Sequence, residues 1–318
     1  MSAGSIFISI AAYCDPMLAF TINSARSQAS DPSRVFIGVV EQAPAGQALR
    51  LEDQWAIEHV RWTRVDALEA RGPCWARALA MALYQGEDWY LQIDSHTWFE
   101  PGWDQRLIEW AERCGAHNPR TLLTCYPNPF TMRDGHPVAE LVTNRVLAMV
   151  VRGDTEFAPD HPVLMFEGVA VESEEPVPGV HLAGGCLFGP GCTVNELPYD
   201  PQLYFHGEEQ SLSLRAWTRG WDIVHIPGMP MYHLYTTPGS RPRPMHWSPE
   251  HDERRAVRSA TLEAAARKRL SALIWEGGDL GVYGLGTQRS LADYAAFSGI
   301  DFAARRIEDR ARKARFGY

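Results

Sequence analysis

The stretch Trp89–Trp103, WYLQIDSHTWFEPGW, sets the fold that we expect for the whole chain. Its first five residues are an apolar run typical of a short buried strand, and the run ends at Asp94-Ser95-His96. In open α/β sheets, ligands bind beyond the carboxyl ends of the strands. An aspartate and a histidine so close together at such an end can direct one oxygen and one nitrogen at a single cation. This donor pair suits Mn²⁺ or another divalent transition ion better than Ca²⁺, and a solvated turn is the simpler alternative.

Strands and helices alternate on both sides of this stretch, which predicts an α/β fold with a mainly parallel sheet flanked by helices. Asp15-Pro16 is a typical helix start, and so is Gly72-Pro73. The predicted strands are 6–13 (IFISIAAY), 34–40 (RVFIGVV), 59–63, 89–93 and 121–126, and the predicted helices are about 16–29, 73–83 and 103–114.

The periodicity changes after Pro127. Short strands around Gly, Pro and Asp over 138–171 indicate an antiparallel hairpin region on one side of a cleft. The segment 181–188, HLAGGCLF, predicts a strand that contains Gly184 and Gly185. Glycine inside a strand marks either a bulge or the close approach of a ligand or another backbone.

Polar residues recur in the next part of the chain. Glu208 and Glu209 precede an amphipathic helix at 210–218, where they either act on a ligand or only interact with the helix dipole. His233 lies in a short aromatic run, 231–235, and is either a ligand or a structural histidine. The loop at 236–244, TTPGSRPRP, carries Arg241 and Arg243. A charged helix at 249–276, a Gly-rich turn at 277–286 and two short helices complete the prediction.

The composition restricts the partners and the compartment. With 30 basic and 39 acidic residues among 318, the net charge of −9 argues against nucleic acid or an anionic membrane as the main partner. Six cysteines without close-paired spacing predict reduced thiols and a cytoplasmic location. The sequence has no apolar run of roughly 18 to 20 residues and no basic segment within 1–10, so no membrane insertion is expected.

The order of these motifs resembles that of nucleotide-sugar-dependent glycosyltransferases of the GT-A type. The chain is most similar to the cytoplasmic polypeptide α-N-acetylglucosaminyltransferases, and more distantly to the mucin-type polypeptide N-acetylgalactosaminyltransferases. The resemblance covers roughly residues 6–235, and 284–291 (GLGTQRSL) also fits the first family. The motifs that carry it are Gly72-Pro73-x-x-Ala76-Arg77, Asp94-Ser95-His96, Trp103-Asp104, Ala183-Gly184-Gly185, Gly207-Glu208-Glu209, Ser213-x-Arg215-x-Trp217 and His233.

The resemblance implies a GT-A catalytic domain over 1–245, with a nucleotide-sugar half at about 1–126 and an acceptor half at about 127–245. Residues 246–318 are then a helical extension packed on it. The implied reaction moves N-acetylglucosamine, or a related sugar, from a UDP-sugar to a serine, threonine or hydroxyproline hydroxyl of a peptide or protein. These families retain the anomeric configuration.

The resemblance also assigns roles to residues. Asp94, His96 and His233 would hold Mn²⁺ or another divalent cation. Glu208 or Glu209 would bind sugar hydroxyls and orient the acceptor. Asp15 would contact uracil or ribose with Tyr13, although capping of its helix is the alternative. The implied donor-binding residues are Tyr13, Asp15, Arg77, Asp94, Ser95, Gly184, Gly185, Tyr235, Arg241 and Arg243.

Two other functions remain open at this point. One keeps the GT-A core but makes the acceptor a glycan or a small metabolite. The other is a metal-dependent sugar-binding module without turnover. The presence of the complete set of metal-binding and donor-binding residues argues against this module.

Overall fold

The structure is a computed structural model that describes residues 4–50, 54–236 and 243–317. Its strands are β1 (Ile6–Tyr13), β2 (Val35–Ala43), β3 (Val60–Asp66), β4 (Trp89–Asp94), β5 (Thr97–Phe99), β6 (Thr121–Thr124), β7 (Asn128–Arg133), β8 (His136–Ala139), β9 (Val146–Val151), β10 (Phe166–Val171), β11 (Val177–Gly179), β12 (Cys186–Pro190), β13 (Asp222–His225), β14 (Met231–His233), β15 (Ile300–Asp301) and β16 (Arg306–Ile307). Its α-helices are α1 (Leu18–Ser27), α2 (Pro73–Met81), α3 (Trp103–Gly115), α4 (Thr193–Glu196), α5 (Glu208–Thr218), α6 (Pro249–Asp252), α7 (Ser259–Ile274) and α8 (Leu291–Ser298). Short 3₁₀ helices lie at Pro32–Arg34, Gly281–Tyr283 and Asp309–Arg312.

An eight-stranded sheet forms the centre, in the order β11-β13-β6-β12-β4-β1-β2-β3. Strands β4, β1, β2 and β3 run parallel, whereas β12 runs antiparallel to both of its neighbours. The register pairs Ala11 with Asp94 and Ile93 with Cys186. The carboxyl ends of β1 and β4 therefore meet the amino end of β12 at one edge of the sheet, where Gly184-Gly185 enters.

A second sheet, β5-β14-β7-β8, brings a late segment of the chain back to this edge. Strand β14 runs antiparallel to β5 and pairs His233 with Thr97, the residue after His96. The backbone N–H of Leu234 also donates to the carbonyl of His96, at 3.0 Å. The two histidines are neighbours because of this pairing.

Buried apolar residues cover both faces of the central sheet, which is typical of a mainly parallel sheet. One cluster includes Leu18 and Leu107 from α1 and α3, and another includes Cys74 and Leu212 from α2 and α5. A third joins Leu214 to residues of the C-terminal extension. No helix in the described parts of the chain is both long and apolar enough to cross a lipid bilayer.

The alternation predicted from the sequence is confirmed, and the differences are local. Gly184 and Gly185 lie in a turn before β12, because the pairing of that strand begins only at Cys186. The acids Glu208 and Glu209 form the first turn of α5, after Gly207 at a φ of 87°. The predicted helix at 249–276 is broken into α6 and α7. Arg255 lies in the break and is 5 % exposed. The predicted pair of C-terminal helices is one α-helix, α8, and a 3₁₀ helix.

Candidate active site

A cavity of about 450 Å³ opens at the edge of the sheet where β1 and β4 end. Residues from both halves of the chain line it, including the strand ends, the first turn of α5 and a segment just before α6. All of the predicted site residues that are described line it except Gly184, which lies beside it. Arg241 lies outside the described residues, so its predicted place over a diphosphate stays a prediction. The lining residues used below are Tyr13, Asp15, Arg77, Asp94, Ser95, His96, Tyr126, His181, Gly185, Phe205, Glu208, Glu209, His233, Tyr235, Arg243, His246 and Trp247.

Asp94, His96 and His233 form a group of donor atoms that could hold a metal ion. One atom of each lies within 4.8 Å of the others. Oδ2 of Asp94 is 3.0 Å from Nε2 of His233 and 3.9 Å from Nε2 of His96. Burial lowers the pKa of His233, against the raising effect of its bond to Asp94, so its imidazole stays neutral and able to ligate. Although burial acts to raise the pKa of Asp94, the hydrogen bond to His233 and the charge of Arg77 hold it well below its ordinary value.

Asp15 fixes the orientation of His96. Its Oδ2 atom is 2.7 Å from Nδ1 of His96 and accepts a hydrogen bond from the Ser95 hydroxyl at 2.7 Å. With the proton of His96 on Nδ1, its Nε2 lone pair accepts from Nη2 of Arg243 at 2.8 Å. A carboxylate on the far nitrogen is the usual arrangement behind a metal-binding histidine. The other oxygen of Asp15 accepts the backbone N–H of Met17 at 2.9 Å. Helix α1 begins later than predicted, at Leu18 after Met17, so this bond stabilises the turn before the helix and is not a side-chain cap of it.

Arg77 connects Asp94, of the proposed metal group, to Glu208. Its Nη2 donates to Oδ1 of Asp94 at 2.8 Å, and its Nη1 donates to Oε1 of Glu208. The guanidinium lies over the ring of Tyr199, 5.6 Å from its centroid. Burial acts to lower the pKa of Arg77, but the carboxylate of Glu208 and its other neighbours raise it well above its ordinary value. Arg77 is therefore a permanent buried cation in the cavity wall.

Two glycines make room for these side chains. A Cβ on Gly184 would lie 2.5 Å from Nη1 of Arg77 and 2.8 Å from Oε1 of Glu208. A Cβ on Gly185 would lie 2.8 Å from Oδ2 of Asp94. Larger residues here would displace the Arg77–Glu208 pair or the metal group. The close approach predicted for this turn is thus explained by the protein's own side chains.

The adjacent acids of α5 have different surroundings. Glu209 accepts the backbone N–H of Gly184 at 2.6 Å and the hydroxyl of Tyr126 at 2.7 Å, and His181 lies 3.4 Å away. Burial acts to raise the pKa of Glu209, yet its hydrogen bonds keep it below the ordinary value. For Glu208, burial dominates over the charge of Arg77 and raises the pKa. Glu209 holds the glycine turn, and Glu208 holds Arg77.

Three other predicted residues have partners within the protein. Nη2 of Arg243 is 2.8 Å from Nε2 of His96, and its Nε is 3.7 Å from Asp15. The Tyr235 hydroxyl donates to the carbonyl of Pro127 at 2.9 Å, and its ring packs against that of His233 with centroids 4.2 Å apart. The Ser95 hydroxyl is taken up by Asp15. Tyr235 therefore packs against His233, and Ser95 holds Asp15 beside His96.

The C-terminal extension supplies one wall of the cavity, which sequence analysis missed. Nη2 of Arg255 donates to the hydroxyl of Tyr13, and Nδ1 of His251 is 2.6 Å from the same hydroxyl. The ring of His246 lies 5.2 Å from that of Tyr13. Clustered polar residues in 244–255 were the available signal, but a charged helix was the simpler interpretation. Trp247 was also missed; it is exposed and makes an edge contact with Phe205, with the ring centroids 4.9 Å apart.

Comparison with known proteins identifies the fold and the family. The family model described as glycosyltransferase (GlcNAc) matches residues 5–50 and 43–304. The crystal structure of GalNAc-T7 with UDP, GalNAc and Mn²⁺ matches with a TM-score of 0.60 and 14 % identity, over 92 % of this chain and 55 % of that chain. The chain thus spans about half the length of that protein. The structure of S. aureus TarS 1-349 has a TM-score of 0.44 and 12 % identity, over 72 % and 60 % of the two chains.

No curated protein sequence matches the chain. The structural likeness agrees with the predicted GT-A architecture, an α/β fold with a mostly parallel central sheet. The family model spans most of the sequence, including every predicted site residue. The chain therefore belongs to the glycosyltransferase (GlcNAc) family and has the GT-A fold.

Proposed function

We propose that this glycosyltransferase moves N-acetylglucosamine from a UDP-sugar to a hydroxyl of a peptide or protein, with retention of configuration. The observation that carries the proposal is the convergence of Asp94, His96 and His233 beside a cavity into which Arg77 also faces. The family description supports N-acetylglucosamine as the sugar. The bound UDP and Mn²⁺ named for GalNAc-T7, which shares the fold, support the donor class and the metal.

The three donor atoms fit a divalent cation such as Mn²⁺. One carboxylate and two imidazole nitrogens leave coordination positions open for phosphate oxygens. Asp15 faces Nδ1 of His96, which leaves Nε2 for the metal once Nη2 of Arg243 moves away from it. The three donor atoms lie within 4.8 Å of one another. A bound ion offsets negative charge on a diphosphate, the Lewis-acid role.

The protein's own cations and strand ends position the donor. Arg77 is buried and permanently charged, and Nη2 of Arg243 lies 2.8 Å from Nε2 of His96. Both would contact the diphosphate. Tyr13, at the end of β1 and held by Arg255, would contact uracil or ribose.

Retention is accounted for by substitution on one face of the sugar. The acceptor oxygen bonds to the anomeric carbon on the side from which UDP leaves, the bond from that carbon to the phosphate oxygen breaks, and a departing phosphate oxygen takes the acceptor proton. No protein base is needed in this scheme. The environment of Glu208 agrees with a scheme without a protein base, because both of its oxygens already accept hydrogen bonds from α2. Positioning and electrostatics then supply most of the rate.

The acceptor is proposed to bind at the rim of the cavity. The cavity rim carries Phe205 and Trp247, which are 38 % and 40 % exposed, and such rings can pack on a peptide or on a sugar. Cytoplasmic peptides are the proposed acceptors, since the cysteine pattern predicts a reducing compartment. A glycan or small-molecule acceptor is the alternative for the same donor site.

Two assays test these statements separately. A panel of UDP-sugars with Mn²⁺, scored by mass spectrometry for hydrolysis, should show turnover of UDP-N-acetylglucosamine above the others. No release of UDP from any sugar, with or without acceptor, would favour a binding module. Incubation with UDP-N-acetylglucosamine and cell lysate should give peptides heavier by one N-acetylhexosamine. Label found only in glycans or small metabolites would exclude the polypeptide acceptor and leave the donor assignment standing.

A further inference from the structure

Cys74 lies in the first turn of α2, three positions before Arg77, so the two side chains share one face of the helix. The thiol is fully buried. Its Sγ is 2.7 Å from Oε2 of Glu208 and 3.2 Å from the carbonyl oxygen of Tyr204. One face of α2 therefore presents a thiol and a guanidinium to the same carboxylate.

The thiol acts as a donor in this contact. Burial and the neighbouring carboxylate of Glu208 raise the pKa of Cys74 well above its ordinary value, so it keeps its proton. Oε1 of Glu208 accepts from Arg77, which leaves Oε2 for the S–H group. Hydrogen bonds to charged acceptors in buried surroundings are among the stronger ones, and an unsatisfied buried carboxylate oxygen is costly.

We propose that Cys74 is a positioning residue for transfer, acting through Glu208 on Arg77. By satisfying Oε2, the thiol fixes the side chain of Glu208, and the Glu208–Arg77 bond in turn aims the guanidinium at Asp94 and the diphosphate. This inference rests on the proposed function. It assigns a task to a group that would otherwise be an ordinary core cysteine.

The packing around the pair explains why the thiol matters. The backbone of Gly184 lies so close to Arg77 and Glu208 that even a methyl group would collide with them. A Glu208 side chain without its second donor cannot turn toward Gly184. It would have to change its bond to Arg77 instead. Loss of the thiol therefore affects the donor site through the hydrogen bond between Glu208 and Arg77.

The test uses Cys74→Ala, Cys74→Ser and a control, Cys114→Ala, in the full chain. Cys114 lies on α3 and does not line the cavity. The readouts are kcat and KM for release of UDP from UDP-N-acetylglucosamine with Mn²⁺, together with the thermal unfolding midpoint. We expect Cys74→Ala to lower kcat about tenfold, the size typical of one lost bond to a charged group, with KM changed less than about threefold. Cys74→Ser should recover most of the rate because its hydroxyl still donates.

The outcomes separate the possible failures. A wild-type rate in Cys74→Ala overturns the inference, and so does a serine variant as slow as the alanine variant, since shape rather than donation would then matter. An equal loss of rate in Cys114→Ala, which would show a general effect of cysteine removal, also overturns it. Absence of UDP release from the wild-type chain with every UDP-sugar contradicts the proposed function instead.

Discussion

Oδ2 of Asp15 lies 2.7 Å from Nδ1 of His96, so the carboxylate at the end of β1 sets the tautomer of the histidine that follows β4. The two side chains are 1 % and 7 % exposed, which shields the contact from water. The sequence resemblance implies a nucleotide contact for Asp15. The observed geometry supports a different role, in which Asp15 prepares His96 as a ligand.

We expect Asp15→Asn to weaken Mn²⁺ binding by about 10- to 100-fold, as is typical when the partner behind a metal-binding histidine is changed. Isothermal titration with Mn²⁺ and UDP measures this. Asp31→Asn is a matched control, because Oδ1 of Asp31 accepts the N–H of Ser33 at 3.1 Å just as Asp15 accepts that of Met17. If both variants bind Mn²⁺ like the wild type, Asp15 only stabilises the turn before α1.

Removal of a proposed ligand should abolish metal-dependent UDP binding while the chain stays folded. Asp94 and His233 lie at the ends of β4 and β14 rather than inside the apolar clusters, so Asp94→Ala and His233→Ala should preserve core packing. Calorimetry with UDP and Mn²⁺ gives the affinity, and circular dichroism gives the fold. Asp309→Ala changes an exposed acid of the extension and should bind normally. Wild-type affinity in either site variant would remove that residue from the metal group.

Substitutions of the two acids of α5 should differ in their effects on transfer. Glu208→Gln keeps the shape but removes the charge that holds Arg77, so we expect kcat for transfer to fall at least about tenfold. Glu209→Gln keeps an oxygen for the Gly184 N–H and should be milder. UDP affinity should stay within about threefold of the wild type in both. Turnover at the wild-type rate in both variants would show that the two acids only interact favourably with the dipole at the start of the helix.

Acid should destabilise the fold through His225. Its Nδ1 donates to the carbonyl of Thr124 at 2.8 Å, and its Nε2 accepts the N–H of Met149 at 3.3 Å, so the buried ring is satisfied only when neutral. Burial lowers its pKa from 6.5 to about 4. Between these values the unfolded chain binds a proton that the folded chain does not. The free energy of unfolding therefore falls as the pH drops through this range, by up to about 3 kcal/mol.

Urea denaturation between pH 4 and 7 measures this dependence. His225→Gln has no group that titrates in the window, so its stability should depend less steeply on pH, by up to one proton. The variant can be less stable at every pH without affecting this comparison of slopes. The same slope in both proteins would show that other groups cause the acid sensitivity.

Most of the correct predictions came from local sequence patterns. Apolar runs of strand length, helices that begin at Asp-Pro or Gly-Pro, and polar residues at strand ends are read over a few neighbouring positions. These patterns placed Asp94 and His96 at the end of β4 and predicted the parallel core. The glycine pair lies in a turn before its predicted strand and is approached by side chains of the protein, whereas a ligand or another backbone was expected there.

The chain alone therefore determined the α/β layering and the strand ends at which chemistry is possible, because side-chain periodicity decides which faces are buried. Tertiary structure decided which distant residues meet there. The pairing of β14 with β5 brings His233 to His96, and the Cys74–Glu208 and Tyr13–Arg255 contacts join segments far apart in sequence. Such contacts leave no periodic signal, since they depend on strand order and register. Strand order and register are set by the packing of the whole molecule, so only the folded chain brings these distant residues together.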